Sequence, residues 1–189
     1  AISDFADYNV DGNVDMLVYS FWNNGFYLYD GNDDGFMTFD APTFFSCSTH
    51  GYEAFFIDYD NDGDLDIVSA CSGSHAPLKL HVFDNNNNSF THNVYGDVNS
   101  IGYSFDLKYG DVNGDDRMDF FMPDNGGFNL AIQNADKSFE MEFYQEGWNN
   151  PLGQLRDHKL LVDVNQDGSD DVIAYNRTFE KLDVFNSSG

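Results

Sequence analysis

Basic side chains are scarce in this sequence of 189 residues. Eight Lys and Arg residues stand against 33 Asp and Glu residues, which gives a formal net charge of −25. A surface with this charge repels phosphate backbones and anionic headgroups, so nucleic acid and anionic membranes are excluded as partners. Long apolar runs are also missing, because none approaches the roughly 18 residues that a membrane-spanning helix needs. We therefore expect a soluble segment that does not insert into a membrane.

Aromatic residues, by contrast, are plentiful. The sequence holds 19 Phe and 11 Tyr, and 41% of it is hydrophobic, which distinguishes it from disordered acidic tails. The length fits one folded domain. The sequence starts without Met and without a basic and apolar leader, so we expect the numbering to begin after a removed signal or inside a longer protein.

A nine-residue motif occurs four times. Its copies start 51, 53 and 52 residues apart and are DYNVDGNVD (7–15), DYDNDGDLD (58–66), DVNGDDRMD (111–119) and DVNQDGSDD (163–171). We number these copies loops 1 to 4 and the residues in each as positions 1 to 9. A repeat of about 50 residues indicates one supersecondary unit used four times.

The segments around each loop have the pattern of β-strands. Alternating residues lead into loops 2 to 4 (53–57, 103–109, 159–162), and apolar residues lead out of all four (16–19, 65–70, 118–122, 172–175). Two further strands then form a predicted hairpin: 26–29 with 36–39, 78–83 with 90–95, and 128–132 with 139–143.

Four antiparallel strands per repeat predict an all-β fold, a β-propeller of four-stranded blades. The predicted blades cover about 1–45, 46–98, 99–150 and 151–189, and the last is incomplete. A β-sandwich is the alternative, although sandwiches seldom keep a strict repeat of this length. Since neither end supplies a strand to close a ring, we expect further blades from the same chain or another copy.

The loops have the composition of an oxygen-ligand metal site. Ca2+ binds six to eight oxygens, and side chains at positions 1, 3 and 5 can converge on one ion where position 6 turns sharply. The carbonyl of position 7 and the carboxylate of position 9 would complete the shell. The predicted ligands are Asp7, Asn9, Asp11, Asn13 and Asp15; Asp58, Asp60, Asp62, Asp64 and Asp66; Asp111, Asn113, Asp115, Arg117 and Asp119; and Asp163, Asn165, Asp167, Ser169 and Asp171.

The loops have two other interpretations. An EF-hand needs Glu at position 12, where this sequence has Val18, Ser69, Met122 and Ala174, so that class is excluded. In the second interpretation, the Asp, Asn and Gly residues of the loops only form turns. Sixteen of the 33 acidic residues lie in the loops, and packing them without a cation would cost strong repulsion. We predict about four structural Ca2+ ions, with loop 3 weakened because Asp116 replaces Gly at position 6.

These four loops resemble the FG-GAP and VCBS repeats of integrin-α-like β-propellers, in which a D-x-[DN]-x-D-G-x-x-D loop joins the first two strands of a blade. The resemblance covers nearly the whole chain and implies the propeller fold and bound calcium. It does not imply one function, because relatives include adhesion receptors, fungal lectins and propeller domains of polysaccharide lyases. Closed members commonly have about seven blades.

The end of the blades opposite the loops is the partner face in integrin-like relatives. Candidate ligand-binding residues there are Trp22, Asn23, His75, Trp148 and Asn149. Trp and Asn beside short loops could stack on and hydrogen-bond a sugar, whereas the alternative is that both Trp residues seal contacts between blades.

The remaining candidates concern covalent chemistry. Cys47 and Cys71 approach the same end of neighbouring predicted blades, so we predict a disulfide, with two buried free cysteines as the alternative. Asn87, Asn176 and Asn186 lie in N-x-[ST] sequons. The five His residues form no close metal pattern, and no nucleophile motif is present.

The sequence therefore predicts a calcium-stabilised extracellular module, secreted or in the ectodomain of a surface protein, that binds a protein or a glycan. The alternative is the propeller portion of a secreted carbohydrate-active enzyme such as a polysaccharide lyase. No residue pattern in the sequence supports this enzyme alternative.

Overall fold

The computed structural model describes residues 2–20, 22–33, 38–47, 50–73, 76–96, 107–124, 127–144, 159–176 and 181–185. These residues form β-strands and no helix, in four separate sheets. No helix long and apolar enough to cross a bilayer occurs in these ranges.

Each sheet is an antiparallel meander of strands that are consecutive in sequence. Blade 1 holds β1 (Ile2–Ala6), β2 (Asp15–Ser20), β3 (Gly25–Tyr29) and β4 (Thr43–Ser46). Blade 2 holds β5 (His50–Ile57), β6 (Asp66–Gly73), β7 (Ala76–Asn85) and β8 (Phe90–Tyr95). Blade 3 holds β9 (Lys108–Gly110), β10 (Asp119–Asp124), β11 (Gly127–Gln133) and β12 (Phe139–Tyr144). Blade 4 holds β13 (Lys159–Val162), β14 (Asp171–Asn176) and β15 (Lys181–Phe185). The fold is the predicted all-β propeller architecture.

One predicted strand is wrong. Residues 36–39 were expected to pair with β3, but the fourth strand of blade 1 is Thr43–Ser46. Residues 36 and 37 of that segment lie outside the described residues, and Phe39 forms an isolated bridge to Gly31. The segment lacks the alternation of a half-buried strand, whereas β4 places Phe45 in the core and Phe44 on the opposite face.

The blades pack face to face through alternate side chains of their strands. Between blades 1 and 2, Leu17, Phe26 and Phe45 contact a layer that includes Ile67 and Phe83. The ring of Phe83 meets those of Phe26 and Phe45 edge-on, with centroids 5.2 and 5.0 Å apart. Each fully buried side chain of this size contributes about 2 kcal/mol, so these layers stabilise the stack of blades.

The other two blade interfaces are built in the same way. Blades 2 and 3 meet through a larger cluster that includes Val68, Leu80, Val82, Phe120 and Met122. Blades 3 and 4 meet through a smaller one, Val112, Phe121, Leu130 and Val172. Backbone N–H groups also bond to carboxylates of the neighbouring blade, as Phe56 does to Asp4 and Asp111 to Asp170.

The outer faces of blades 1 and 4 carry exposed apolar side chains. Phe5 and Phe44 project from blade 1 on the side away from blade 2, and Leu160 and Leu182 project from blade 4 on the side away from blade 3. Their exposure, between 42% and 64%, contrasts with the closed interfaces inside the stack.

A disulfide joins Cys47, just after β4, to Cys71 in β6. The two Cα atoms are 5.9 Å apart and the residues are 24 positions apart in sequence. Both residues are buried at the interface of blades 1 and 2. The bond therefore links two blades covalently.

Removing this disulfide should destabilise the fold. In the chain-entropy model, closing a loop of this length contributes about 3 kcal/mol. We expect the double variant Cys47→Ala/Cys71→Ala to lose about that free energy of unfolding in a denaturant titration. Dithiothreitol should weaken the wild-type protein and leave the variant unchanged; two free thiols in the untreated wild type would contradict the prediction.

A second prediction concerns the buried His81 on β7. Burial lowers the pKa of His81 to about 4, whereas an unfolded chain has a His pKa of about 6.5. The unfolded state therefore binds the proton more readily, and stability falls as the pH drops from about 6.5 to 4.

The matched variant is His81→Asn. Asn129 is the equivalent residue in blade 3. The third strands of blades 2 and 3 end at Asn85 and Gln133, whose N–H groups donate to the position-9 Asp, and His81 and Asn129 each lie four residues before those ends. We expect the variant to lose less stability than the wild type between pH 6.5 and 4.5 in thermal unfolding. The loop carboxylates titrate in both proteins and so contribute to the pH dependence of both. If the stability of the variant and of the wild type depends equally on pH, the lowered pKa of His81 is refuted.

Candidate metal loops and ligand face

The four loops share one backbone conformation. Positions 4 and 6 have positive φ in every copy: Val10, Asn61, Gly114 and Gln166 at position 4, and Gly12, Gly63, Asp116 and Gly168 at position 6. Asp116 has a φ of 62°, against 92° to 95° for the three glycines. An Asp tolerates this region better than most residues, so loop 3 keeps the shape of the others.

The Asp at position 1 holds the turn together. Its two carboxylate oxygens accept the N–H groups of positions 5 and 6 at 2.8–3.1 Å in all four loops. The Asp at position 5 accepts the N–H of position 7 in the same way. These bonds direct several carboxylates towards the inside of one tight turn.

The Asp at position 9 is buried in every blade. Asp15, Asp66, Asp119 and Asp171 are at most 1% exposed. In blades 1 to 3, one oxygen accepts the N–H of position 2, and the other accepts an N–H at or just beyond the end of the third strand: Gly31, Asn85 or Gln133. In blade 4, Val164 N–H donates to Asp171. The carboxylate therefore ties the loop to its blade, a role that the sequence analysis missed.

Burial changes the titration of these carboxyl groups. It raises the pKa of Asp66 to about 7 and that of Asp119 to about 6, and it raises the pKa of Asp15 as well. The accepted N–H groups oppose this effect. Without a nearby cation, burial therefore makes the ionised form of these carboxyl groups costly.

Position 3 separates loop 2 from the others. Loops 1, 3 and 4 have Asn there, and its amide donates to the Asp at position 5 at 2.8–3.2 Å. Loop 2 has Asp60, which cannot donate as a carboxylate. The side chain of Asp60 is 2% exposed, and its Oδ1 atom has no hydrogen-bond partner.

Three carboxylates converge in loop 2. Oxygen atoms of Asp58, Asp60 and Asp66 all lie within 4.8 Å of one another. Of the other predicted ligands there, Asp62 accepts the N–H of Asp64, and the side chain of Asp64, whose carbonyl is the predicted ligand, accepts the N–H of Asn87. Among the described residues, this is the acidic group that offers three oxygens to one ion.

Among the described residues, two basic side chains reach loop carboxylates. Lys137, in the β11–β12 hairpin of blade 3, forms an ion pair with Asp60. Arg117 forms an ion pair with Asp115 inside loop 3 and donates to the carbonyl of Gln133. Lys137 is 77 positions from Asp60, so no local sequence signal could have identified it.

The ligand-face candidates are described only in part. Trp22 and Asn23 lie in the β2–β3 turn, at the end of blade 1 opposite its loop; His75, Trp148 and Asn149 lie outside the described residues. Trp22 is 89% exposed, so it does not seal a blade interface. The Asn23 amide donates to the Tyr27 hydroxyl at 2.7 Å, and the Tyr27 ring lies beside those of Tyr29 and Phe44.

The predicted glycosylation sites fall in different places. Asn87 is exposed in the β7–β8 hairpin, on the same end as the loops. Asn176 is the last residue of β14, and Asn186 lies outside the described residues.

Comparison with known proteins adds a family and a fold. The family model described as an FG-GAP-like repeat matches residues 7–69 and 58–122. No curated protein matches the chain. A solved chain from a study of "specific recognition of non-reducing terminal N-acetylglucosamine" by an Agrocybe aegerita lectin is similar, with a TM-score of 0.52 and 18% identity. The likeness covers 90% of this chain and 45% of that chain, so this chain spans less than half the lectin's length.

We predict that a calcium chelator lowers the melting temperature. A ligand at about 100 times its Kd that binds only the folded state contributes about 2.7 kcal/mol per site, or about 5 to 10 °C for a domain of this size. The variant Asp60→Ala should lose one bound Ca2+ in native mass spectrometry and part of the shift. Asp33→Ala, an exposed residue outside the loops, is the control. An unchanged melting temperature in excess EGTA would contradict the prediction.

Proposed function

The chain belongs to the FG-GAP-like repeat family, and from that membership we propose that it is a calcium-stabilised extracellular binding module whose ligand is a glycan. The loops hold the blades in shape, and the opposite end of the blades presents the ligand-binding residues. Each part of this proposal has its own structural support.

Calcium suits the donor set of the loops. All the side-chain donors are carboxylate or amide oxygens, which are the ligands that Ca2+ prefers. In loop 2, Asp58, Asp60 and Asp66 would hold the ion, and Asp60 Oδ1 is a buried oxygen that lacks a partner. Lys137 pairs with the other oxygen of Asp60, but three carboxylates this close together repel one another, and a cation among them would remove that repulsion.

Loops 1, 3 and 4 support the same assignment through their backbone. They repeat the turn of loop 2 residue by residue, with the same N–H bonds to positions 1 and 5. Their Asn at position 3 supplies an amide oxygen in place of a carboxylate oxygen. We therefore propose about four structural ions, with loop 2 carrying the most negative charge.

Trp22 is the single observation that carries the binding proposal. A Trp that is 89% exposed on a short turn of a rigid sheet is a large, preorganised contact surface, and such residues dominate binding energies. Asn23 follows Trp22 in the same turn, and its amide donates to the Tyr27 hydroxyl. An aromatic face with adjacent polar groups is suited to a sugar ring, which presents both C–H and O–H groups.

The structural neighbour supports a glycan over a protein. That lectin recognises non-reducing terminal N-acetylglucosamine. At 18% identity the likeness transfers the fold alone, so the sugar that this chain binds is a proposal. A protein ligand, as in adhesion receptors, is the outcome that the test below distinguishes.

An extracellular location agrees with the covalent features. Disulfides persist in oxidising compartments, and one links Cys47 to Cys71. Exposed Asn87 is available to a glycosylating enzyme. We also propose that further blades, from the same or another chain, cover the exposed apolar faces of blades 1 and 4, because such faces are a liability in water.

The test is a glycan array with the full chain in the presence of Ca2+. We expect binding to glycans with terminal N-acetylated sugars, and a loss of at least tenfold in affinity for Trp22→Ala, since an aromatic anchor contributes 2 kcal/mol or more. Val10→Ala, at an exposed position of loop 1 on the other end, is the matched control.

Two results would overturn the proposal. Binding that Trp22→Ala leaves intact would place the ligand elsewhere on the chain. Absence of glycan binding, together with capture of a protein that depends on Trp22, would establish a protein ligand instead. Incubation with acidic polysaccharides, followed by sizing of the chains, tests the enzyme alternative.

A further inference from the structure

A second cluster of possible metal ligands lies far from the acidic loops. Cys47, Cys71 and His81 are all buried between blades 1 and 2, and each offers a ligand atom within 4.8 Å of the others. The donors are sulfur and nitrogen, in contrast to the oxygen donors of the loops. This cluster is therefore suited to a different class of cation.

His81 is held ready to coordinate. Its Nδ1 atom lies 3.0 Å from Nε2 of His92 on β8, so one ring nitrogen is hydrogen-bonded and the other remains for a ligand. The neutral form of an imidazole is the one that binds metals. Metal-binding His residues almost always have such a second partner, which fixes the ring orientation.

His92 is fixed in turn by its neighbours. Its ring stacks on Phe83 with centroids 4.1 Å apart and planes 10° apart. An oxygen donor is also close, because Ser69 Oγ lies 3.4 Å from Cys71 Sγ and 4.0 Å from Cys47 Sγ. His81 is buried beside the two sulfurs, whereas His92 is exposed and supplies the hydrogen-bond partner that a buried imidazole needs.

We propose that Cys47, Cys71 and His81 bind one thiophilic divalent cation of the Zn2+ class when the disulfide is reduced. A dithiol reductant delivers two electrons and two protons to the S–S bond, which leaves two thiols, and the reductant closes to its own disulfide. The cation then displaces the two thiol protons and accepts the lone pair of His81. In the oxidised protein the sulfurs are bonded to each other and the site is closed.

Charge and ligand type favour Zn2+ at this site. Two thiolates and a neutral imidazole neutralise a divalent cation, so the buried site carries no net charge. Thiolate and imidazole are ligands that Zn2+ prefers, whereas Ca2+ requires oxygens. Blades 1 and 2 would then be joined in both redox states, by an S–S bond or through the metal.

The experiment uses the full chain with saturating Ca2+, which occupies the acidic loops. The chain is reduced with dithiothreitol, freed of reductant under argon and titrated with Cd2+, a spectroscopic substitute for Zn2+ that gives an ultraviolet band when bound to thiolate. We expect one equivalent of Cd2+ to develop this band in the reduced chain and none in the oxidised chain. Zn2+ should then compete for the same site.

Three variants test the ligand set. Cys47→Ala/Cys71→Ala keeps the loops and His81 but should give no band. His81→Asn should lower the Cd2+ affinity of the reduced chain by at least tenfold while the oxidised chain still forms its disulfide. His92→Gln should lower it about tenfold, as second partners of metal ligands do.

The outcomes separate the possibilities. No thiolate band in the folded, reduced wild type would overturn the proposal. If reduced His81→Asn develops the thiolate band with the same Cd2+ affinity as the wild type, the two sulfurs bind the metal without His81, and the three-ligand site is overturned. If the oxidised His81→Asn chain does not fold, the His92→Gln result decides in its place.

Discussion

A buried carboxylate organises each blade. The Asp at position 9 accepts the N–H of position 2 in every loop, and in blades 1 to 3 it also accepts an N–H at or just beyond the end of the third strand. One side chain thus joins the start of the loop, the second strand and the third strand. A carboxylate in this position needs those N–H groups, because burial without them would cost several kcal/mol. The positions of the loop carboxylates, and so of any cation among them, depend on this anchor.

The stack of blades depends on a different interaction, the packing of apolar layers. Every second residue of β2 and β3 faces blade 2. In β6 and β7, one set of alternate residues faces blade 1 and the other set faces blade 3. Cross-links reinforce the layers at particular points. Gln133 donates its amide to the carbonyl of Tyr59 in blade 2, and Lys137 reaches Asp60. Loop 2 of blade 2 is thereby held by the β11–β12 hairpin of blade 3.

The fold and the loops were predictable from the sequence because both follow from a repeated local pattern. A strict period and strand alternation fixed the four-stranded unit, and Asp116 was expected to tolerate the left-handed turn that it adopts. The fourth strand of blade 1 was misplaced because residues 36–39 are apolar without alternating, and β4 lies beyond Pro42. Lys137 and the His81–His92 pair could not be predicted, since they depend on contacts between strands and blades that no local spacing encodes. The anchoring role of Asp66 could not be predicted, because a metal ligand and a buried acceptor of backbone N–H groups require the same residue type.

The sheets have a further consequence for how the chain folds. Within each sheet, every strand pairs with its neighbour in sequence, and the blades contact those before and after them. Such a chain resembles a one-dimensional array, in which each unit folds on the surface of the preceding one and stability is a sum of unit and interface terms. Sequence separations within a blade are short for an all-β protein, so loop closure costs less entropy than in a sandwich with distant pairings. Damage to one blade should remain within that blade and its two interfaces, and evolution can lengthen the array by duplicating whole units.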